Sequence, residues 1–256
     1  MIALILGTSE GKVIVEHLNK HTDNLLLSVA SSYGGSLLEN YKYKILNEKP
    51  LNKEQLENMM KNNNVTTLID ASHPYAVEIT ENAIEVCHKL NLNYIRYERP
   101  SVVEDFLQRK NVIEVEKYED LGEVLKNTEG TILNTTGSRN IDKILNLKLE
   151  NRIIHRVLPT LKVLSECEEL GVKVEDIIAM KGPFSKNLNI SFIKEFNIKT
   201  MLLKDSGIQG GTLEKLQAVD EMNIKAIVIG RKKISYDKVF NNEVDLVDYM
   251  VKENLI

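Results

Sequence analysis

The residues best suited to chemistry in this chain lie in short segments where an apolar run ends. The segments are Gly7–Gly11, Asp70–Ala76, Arg96–Pro100, Thr135–Arg139, Gly182–Ser185 and Lys204–Gly211. They combine hydroxyls, guanidinium and ammonium groups with glycine turns, whose backbone N–H groups can approach a ligand closely. Such groups bind carboxylates and phosphates. The segments therefore predict recognition of an anionic small molecule.

Lys204–Gly211 is the densest of these segments, with Lys, Asp, Ser and three Gly within eight residues. So much glycine is entropically wasteful in a purely structural loop, which favours a ligand-binding interpretation. Thr135–Arg139 resembles a cradle for a phosphate or a carboxylate. Gly7–Gly11 is neither a full G-x-G-x-x-G motif nor a phosphate-binding P-loop. Anion binding and a plain turn with Thr8 or Ser9 as helix N-cap remain equally compatible with it.

The other segments have structural alternatives as well. His73 can serve as a capping or packing residue, and adjacent Ser72 and His73 point apart, which argues against a nucleophile and base pair. The guanidiniums of Arg96 and Arg99 can bind carboxylates in a bidentate way, but they can also form ion pairs with Glu98. Both interpretations stay open at this point.

Short β-branched runs alternate with amphipathic stretches along the whole chain. The predicted strands are Ile2–Leu6, Leu25–Ala30, Thr66–Asp70, Asn93–Tyr97, Thr131–Asn134, Arg152–Val157, Asp176–Ala179, Thr200–Lys204 and Ala226–Ile229. Nearly continuous apolar strands between helices indicate a parallel sheet covered on both faces, hence an α/β fold. In such folds ligands lie beyond the carboxyl ends of the strands, where the polar segments fall.

The number of strands exceeds what one open sheet accommodates easily, which favours two domains. A charged, less periodic stretch between Ser101 and Gly130 suggests the boundary. We therefore predict an N-terminal domain over residues 1–115 and a C-terminal domain over residues 116–256. Each is expected to be a doubly wound domain with a mainly parallel sheet, and a cleft is expected between them.

Composition excludes several function classes. The chain has 33 Lys and Arg against 37 Asp and Glu, a net charge of −4, which argues against nucleic-acid binding. Cys87 and Cys167 lie in apolar stretches without metal-ligand spacing, so we expect buried thiols in a reducing cytoplasm and no metal site. The apolar run at the N-terminus is too short for a signal peptide or a membrane span.

Taken together and in this order, the segments resemble those of the precorrin-6A reductase family of corrin-ring biosynthesis, which includes the cobalt-precorrin-6A reductases. The similarity runs nearly end to end and includes Ile227–Arg231, where Lys232 replaces the family's usual Pro. Family members that use NADPH often carry Arg in the turn after the second strand, and this chain has Ala30-Ser-Ser-Tyr there. The resemblance therefore leaves NADH and NADPH as alternatives.

The resemblance implies reduction of one double bond of a macrocycle in cobalamin (vitamin B12) biosynthesis, converting precorrin-6A or cobalt-precorrin-6A to its 6B form. Hydride would come from NADH or NADPH, and a proton would reach the neighbouring carbon. It also implies two Rossmann-like domains, with the ligands in the cleft. The substrate would be a polycarboxylate tetrapyrrole, and we expect no nucleic-acid, membrane or obligatory protein partner.

The resemblance also suggests roles for individual residues. The cofactor-binding candidates are Gly7, Thr8, Glu10, Gly11, Ser31, Ser32, Thr136, Gly137, Ser138 and Arg139. The substrate-binding candidates are Ser72, His73, Tyr75, Arg96, Lys204, Asp205, Ser206, Gly207, Gly210 and Gly211. Asp205, His73 or water could assist protonation, and hydride transfer requires no essential protein group.

Two other functions are compatible with the same segments. One is an NAD(P)-dependent reductase of a small polar substrate. The other is a non-catalytic module that binds a nucleotide or a tetrapyrrole. Turnover of nicotinamide with the macrocycle discriminates among the three.

Overall fold

A computed structural model describes residues 1–126 and 128–256 of the chain, and these form two compact units. Unit 1 comprises Met1–Arg99 and Lys232–Ile256, and unit 2 comprises Pro100–Arg231. This division differs from the predicted domains 1–115 and 116–256. It differs because the segment before residue 115 adds a strand to the second sheet, while the C-terminal segment returns to the first.

The strands and helices are short and alternate along the chain. The strands are β1 Ile2–Leu6, β2 Leu25–Ser28, β3 Ile45–Asn47, β4 Thr67–Ala71, β5 Asn93–Tyr97, β6 Val112–Val115, β7 Thr131–Asn134, β8 Ile153–Val157, β9 Ile177–Ala179, β10 Ile198–Lys204, β11 Lys225–Ile229 and β12 Val239–Phe240. The helices are α1 Glu10–Leu18, α2 Ser32–Ser36, α3 Lys53–Asn62, α4 Val77–Leu90, α5 Leu121–Leu125, α6 Ile141–Leu145, α7 Leu161–Glu169, α8 Lys186–Glu195, α9 Thr212–Glu221 and α10 Glu243–Lys252. Single 3-10 turns occupy Glu104–Phe106, Tyr118–Asp120 and Val174–Asp176.

Within the described residues, unit 1 contains a six-stranded parallel sheet in the order β12-β5-β4-β1-β2-β3. Read from β3, this is the strand order of dinucleotide-binding folds, in which the chain reverses direction across the sheet between β1 and β4. Loops that leave neighbouring strands on the two sides of such a switch point diverge and leave a crevice. In unit 1 these are the loops that follow Leu6 and Ala71.

Within the described residues, unit 2 repeats the arrangement with the order β6-β11-β10-β7-β8-β9. The switch point lies between β7 and β10, so the loops that follow Asn134 and Lys204 flank it. The strand at the sixth position of the sheet differs in its place along the chain between the two units. It is β12, near the C-terminus, in unit 1, and it is β6, which precedes the other strands, in unit 2. The α/β fold class is thus confirmed.

The apolar side chains explain the layers of each unit. In β1, Leu4 packs with one cluster that includes residues of α1 and α10, whereas Ala3 and Ile5 pack with residues of α3 and α4. This alternation is what a strand buried on both faces requires. Unit 2 has an analogous cluster in which Met201 and Leu203 of β10 pack with residues of α8 and α9.

The predictions for the N-cap of α8 and for the two cysteines are confirmed. Ser185 caps α8, since its hydroxyl accepts a hydrogen bond from the backbone N–H of Leu188 at 3.2 Å. Cys87 and Cys167 are free and buried. Among the described residues, no helix is both long enough and apolar enough to cross a membrane.

Candidate active site

Glycine lets two polar loops meet at the switch point of unit 1. The backbone N–H of Gly7 donates to the carbonyl of Ala71 at 3.1 Å, so the loop after β1 continues the pairing with the last residue of β4. A Cβ on Gly7 would lie 2.7 Å from the backbone nitrogen of His73. The close approach of these loops therefore requires glycine, and it brings the predicted segments Gly7–Gly11 and Asp70–Ala76 together.

Gly7→Ala is expected to lower the free energy of unfolding by about 1–3 kcal/mol, because the added methyl group forces one of two backbones to move. Gly122→Ala in α5 is the control, since its Cβ would meet only Leu147 at an ordinary 3.6 Å, and Ala favours a helix by up to about 1 kcal/mol. Urea unfolding of both variants measures the difference, and equal stabilities would contradict the packing argument.

Arg96, a predicted substrate ligand, is engaged inside the protein. Its side chain is 1% exposed, and Nη1 lies 2.9 Å from both Asp70 Oδ1 and Ser72 Oγ, while Nε pairs with Glu98 at 2.9 Å. Burial by itself lowers the pKa of Arg96, but Asp70 and Glu98 more than offset this effect and raise it. The hydroxyl of Tyr94 donates to the other Asp70 oxygen at 2.9 Å. This geometry favours a role for Arg96 in positioning the loop after β4.

His73 and Tyr75 lie beyond this ion pair, and both are half-buried. The backbone N–H of Tyr75 donates to Nδ1 of His73 at 3.3 Å, which assigns the ring proton of a neutral imidazole to Nε2. The two rings are 5.8 Å apart at their centroids. The buried Ser72 hydroxyl bonds to Thr80 as well as to Arg96, so it anchors the loop to the first turn of α4.

Glu10 and Arg99 form the second buried ion pair of unit 1. Arg99 Nε lies 2.5 Å from one carboxylate oxygen of Glu10, and Nη2 donates to the other. Burial tends to raise the pKa of Glu10, but the hydrogen bond and charge of Arg99 keep it below its usual range. Glu10 is the first residue of α1, so a carboxylate occupies the position where a helix usually attracts an anion.

Thr8 is the group in this loop with unused bonding capacity. Its hydroxyl oxygen is buried and has no hydrogen-bond partner among residues 1–126 and 128–256. Buried polar atoms are nearly always hydrogen-bonded, so this one fits contact with a ligand. Gly11 packs closely against the side chain of Leu6, which leaves no room for a Cβ at this position. Ser31 and Ser32, after β2, are exposed, and Ser31 caps α2 by accepting from the N–H of Gly34.

The loop after β7 forms one side of the switch point in unit 2. Oδ1 of Asn134 accepts hydrogen bonds from the backbone N–H and the hydroxyl of Thr136 at 3.0 and 2.7 Å, while the Asn134 amide contacts His155. These bonds hold Thr136 within the turn. Gly137 adopts a φ of +90° with open space beside it. Ser138 and Arg139 follow at the rim, where Arg139 is exposed.

The loop after β10 forms the other side. Gly210 has no room for a side chain, because a Cβ would lie 2.3 Å from Cβ of Ser206, and Gly207 has a φ of +71°. The Thr212 hydroxyl closes the loop by accepting from Ser206 N–H and donating to the Lys204 carbonyl, both at 3.0 Å. The loop thus folds back tightly on the first residue of α9.

Asp205, a candidate for protonation, is buried in this loop and lies in an ion pair. Its Oδ2 is 3.0 Å from Nε of Arg231, the residue that follows β11, and its carbonyl accepts from the same nitrogen. Oδ1 faces the backbone N–H of Gly207. Through these contacts the buried carboxylate of Asp205 holds the loop in place. They favour a positioning role for Asp205 over a role in proton transfer.

Lys204 contributes a cation to the switch point of unit 2. Burial, and next the nearby charge of Arg139, lower the pKa of Lys204 to about 8. Its Nζ lies 5.8 Å from the ring centre of Tyr118. Burial also raises the pKa of Tyr118, against opposing contributions from Thr136 and Asn140. Tyr118 therefore belongs to this group, although it sits in a stretch that sequence analysis interpreted only as a connection.

Two further cations lie deeper in unit 2. Arg156 of β8 and Lys215 of α9 are 6% and 7% exposed. Lys215 was not predicted from the sequence, because a lysine in an amphipathic helix normally indicates a solvent-facing position. The signal that could have found it is its place four residues after Gly211, at the start of α9.

The charged side chains at and near the strand ends divide unequally between the units. In unit 1 three carboxylates face two guanidiniums: Glu10, Asp70 and Glu98 with Arg96 and Arg99. In unit 2 the cations exceed the carboxylates: Arg139, Arg156, Lys204, Lys215 and Arg231 with Asp205 and Glu214. Carboxylates and phosphates of a ligand are therefore better accommodated at the strand ends of unit 2.

Comparisons with known proteins agree with the fold and identify its relatives. The family model described as "Precorrin-6x reductase CbiJ/CobK" matches residues 1–251. The chain is 34% identical to a cobalt-precorrin-6A reductase from Methanocaldococcus jannaschii over 97% of both chains, and 31% identical to one from Priestia megaterium over 99% of both. A solved CobK precorrin-6A reductase superposes with a TM-score of 0.77 at 14% identity, covering 98% of this chain and 96% of that one.

Proposed function

Because the chain belongs to the precorrin-6x reductase family, we propose that it reduces one carbon–carbon double bond of precorrin-6A or cobalt-precorrin-6A with hydride from NADH or NADPH. The names of the relatives supply the substrate and the reductive character of the reaction. The enzyme thus acts in cobalamin biosynthesis. The hydride donor and the carbon–carbon bond are the parts of the proposal that need their own support.

The strand order of the two units carries the hydride-transfer proposal. Both sheets have the order of dinucleotide-binding folds, and glycine-containing polar loops flank both switch points. Dinucleotides bind in crevices of this kind because backbone N–H groups can approach their phosphates. A bound reduced nicotinamide supplies the hydride, and the protein supplies orientation and electrostatics.

The residues of both switch points fit a dinucleotide. In unit 1, the buried hydroxyl of Thr8 can form a hydrogen bond with a ligand. The carboxylate of Glu10 is better suited to accept hydrogen bonds from ribose hydroxyls than to lie next to a phosphate. In unit 2, Gly137 and the half-buried Ser138 leave backbone accessible next to Arg139. Ser31 and Ser32 remain proposed contacts for the adenosine end, without an adjacent Arg to select a 2′-phosphate.

Lys204 and its loop support the binding of a polycarboxylate. The guanidinium of Arg139 lies close enough to the ammonium of Lys204 to lower the pKa of Lys204, and a ligand carboxylate between the two cations would offset their repulsion. Ser206, Gly207, Gly210 and Gly211 offer a hydroxyl and backbone groups beside this cation. These residues are therefore proposed to bind the acetate or propionate groups of the macrocycle.

His73 is the better proton-donor candidate of the two. Because Nδ1 of His73 accepts a hydrogen bond from Tyr75, Nε2 is the nitrogen that can carry a proton toward the ligand, whereas the carboxylate of Asp205 is held in an ion pair by Arg231. Tyr75 and Ser72 position the His73 loop. Water stays an alternative donor, since protonation of the carbon next to the site of hydride addition needs only a weak acid nearby.

Anaerobic incubation of the pure enzyme with enzymatically prepared cobalt-precorrin-6A or precorrin-6A, and with NADH or NADPH, tests the proposal. Oxidation of one nicotinamide per macrocycle consumed is expected with at least one cofactor. Oxidation with another polar substrate but not with either macrocycle would support the small-substrate reductase instead. Binding of the macrocycle without any oxidation would support the non-catalytic module.

A further inference from the structure

Among its described residues, unit 2 contains two buried cations outside the loops that flank its switch point, Arg156 and Lys215. Arg156 lies on β8, next to the last residue of the strand, and Lys215 lies in the first turn of α9. Their exposed fractions are 6% and 7%, values at which lysine and arginine are normally paired with carboxylates.

The hydrogen-bond partners of both cations are neutral. Nη1 of Arg156 donates to Oδ1 of Asn189 at 2.9 Å, and the guanidinium lies 4.2 Å from the ring centre of Phe184. Nζ of Lys215 donates to the carbonyl of Gly210 at 3.3 Å. Within the part of the chain that the structure describes, neither cation forms an ion pair. Guanidinium has five N–H donors and ammonium three, so most donors of both groups remain available.

The charge of Arg156 also acts on Lys215. Burial, and next the charge of Arg156, lower the pKa of Lys215 to about 7, and Glu214 offsets only part of this effect. Burial lowers the pKa of Arg156 to about 10. Two cations that are brought together out of water without an anion are a costly arrangement. Such costs persist where a ligand uses the groups.

The position of Lys215 connects this pair with the ligand-binding loop. Its ammonium contacts Gly210, in the loop whose tight turn excludes side chains at that residue. A Cβ on Gly211 would lie 3.2 Å from Cβ of Pro183, so the Gly182–Ser185 segment, which carries Phe184, packs against the same loop. The two loops thus lie next to the pair and contribute backbone groups and one aromatic ring.

We propose that Arg156 and Lys215 form a subsite for one oxyanion group of a ligand, a carboxylate or a phosphate. The inference rests on the proposed function, because that function supplies ligands of both kinds: the macrocycle has carboxylates and the nicotinamide dinucleotide has phosphates. One anionic group that bridges the two cations would use their remaining donors and neutralise their mutual repulsion.

Thermal unfolding with inorganic phosphate or acetate, against chloride at equal ionic strength and pH 7, tests the subsite without turnover. A saturable rise in Tm of the wild-type protein is expected with at least one of the two anions. Lys215→Met should abolish this rise, and its own Tm without anion should exceed that of the wild type, because an uncompensated charge is gone. The control is Lys199→Met, an exposed lysine of β10, which should keep the rise.

Kinetics distinguish the two sources of the oxyanion. If a macrocycle carboxylate binds here, Lys215→Met raises the KM for the macrocycle roughly 10- to 100-fold and leaves the KM for nicotinamide unchanged, and a phosphate gives the reverse. An unaltered anion response in Lys215→Met, or no response of the wild type to either anion, would overturn the subsite. A wild-type enzyme that responds to anions but oxidises no nicotinamide would contradict the proposed function and leave the subsite supported.

Discussion

Replacing Arg96 with Met is expected to lower the free energy of unfolding by about 3–5 kcal/mol, because it leaves the buried carboxylate of Asp70 without its cation. Asp70 is fully buried, and its other oxygen accepts a hydrogen bond from the neutral hydroxyl of Tyr94. Removing one member of such a pair costs more than the pair contributes, since the remaining charge keeps its desolvation penalty. Urea unfolding at pH 7 measures the loss.

The double variant Asp70→Asn with Arg96→Met separates charge from packing. Without either charge, the double variant should regain part of the stability that the single Arg96→Met variant loses. The control is Lys44→Met, which breaks the exposed pair of Lys44 with Asp23 and should change stability by less than about 1 kcal/mol. If Arg96→Met were as stable as the Lys44→Met control, the assignment of Arg96 to a buried ion pair would be contradicted.

Lys215 should make the unliganded protein more stable as the pH rises. Its pKa is about 7 in the folded protein and ordinarily 10.5, so between these values the unfolded chain binds more protons, and the free energy of unfolding increases with pH. From pH 7 to pH 9 the contribution of Lys215 is about 2 kcal/mol. Arg156 and Glu214 are the charged groups that act on it. Lys204, with a pKa of about 8, contributes in the same direction.

Urea unfolding of the wild type and of Lys215→Met at pH 7, 8 and 9 isolates this contribution. The wild type should gain about 2 kcal/mol more than the variant over this range, and the variant should be the more stable of the two at pH 7. The Lys199→Met control should follow the wild type. Parallel pH dependences of wild type and Lys215→Met would show that Lys215 is not a buried cation. Anion binding at the subsite should weaken over the same pH range.

Most of the fold could be predicted from the chain, because strands buried on both faces have continuous apolar runs. β1 and β4, for example, are entirely buried. β3, β6 and β12 escaped prediction. β3 and β12 are three and two residues long, and β12 pairs with β5 at Arg96 and Tyr97, whereas β6 lies in the charged stretch that suggested the domain boundary. The return of α10 to the first sheet could not be predicted, because the apolar face of an amphipathic helix does not specify which sheet it covers.

The sequence predicted which loops form the candidate site, but it did not predict the roles of individual residues in those loops. Strand-end position and residue type drew attention to the segments that flank both switch points. Burial then separates residues that the sequence treats alike: Arg96 is enclosed by carboxylates, whereas Arg139 is exposed. Lys215 and Tyr118 were missed because their side chains turn toward the strand ends from elements whose sequences look ordinary. A net charge of −4 likewise conceals the excess of cations at the strand ends of unit 2.

Transfer of deuterium tests the central claim most directly. The enzyme is incubated anaerobically with cobalt-precorrin-6A or precorrin-6A and reduced nicotinamide that is labelled with deuterium at the transferable position of C4. The account predicts a reduced macrocycle that contains one deuterium from the cofactor, with the second hydrogen from solvent. A reduced macrocycle without label from either face of NADH or NADPH would contradict hydride transfer from nicotinamide.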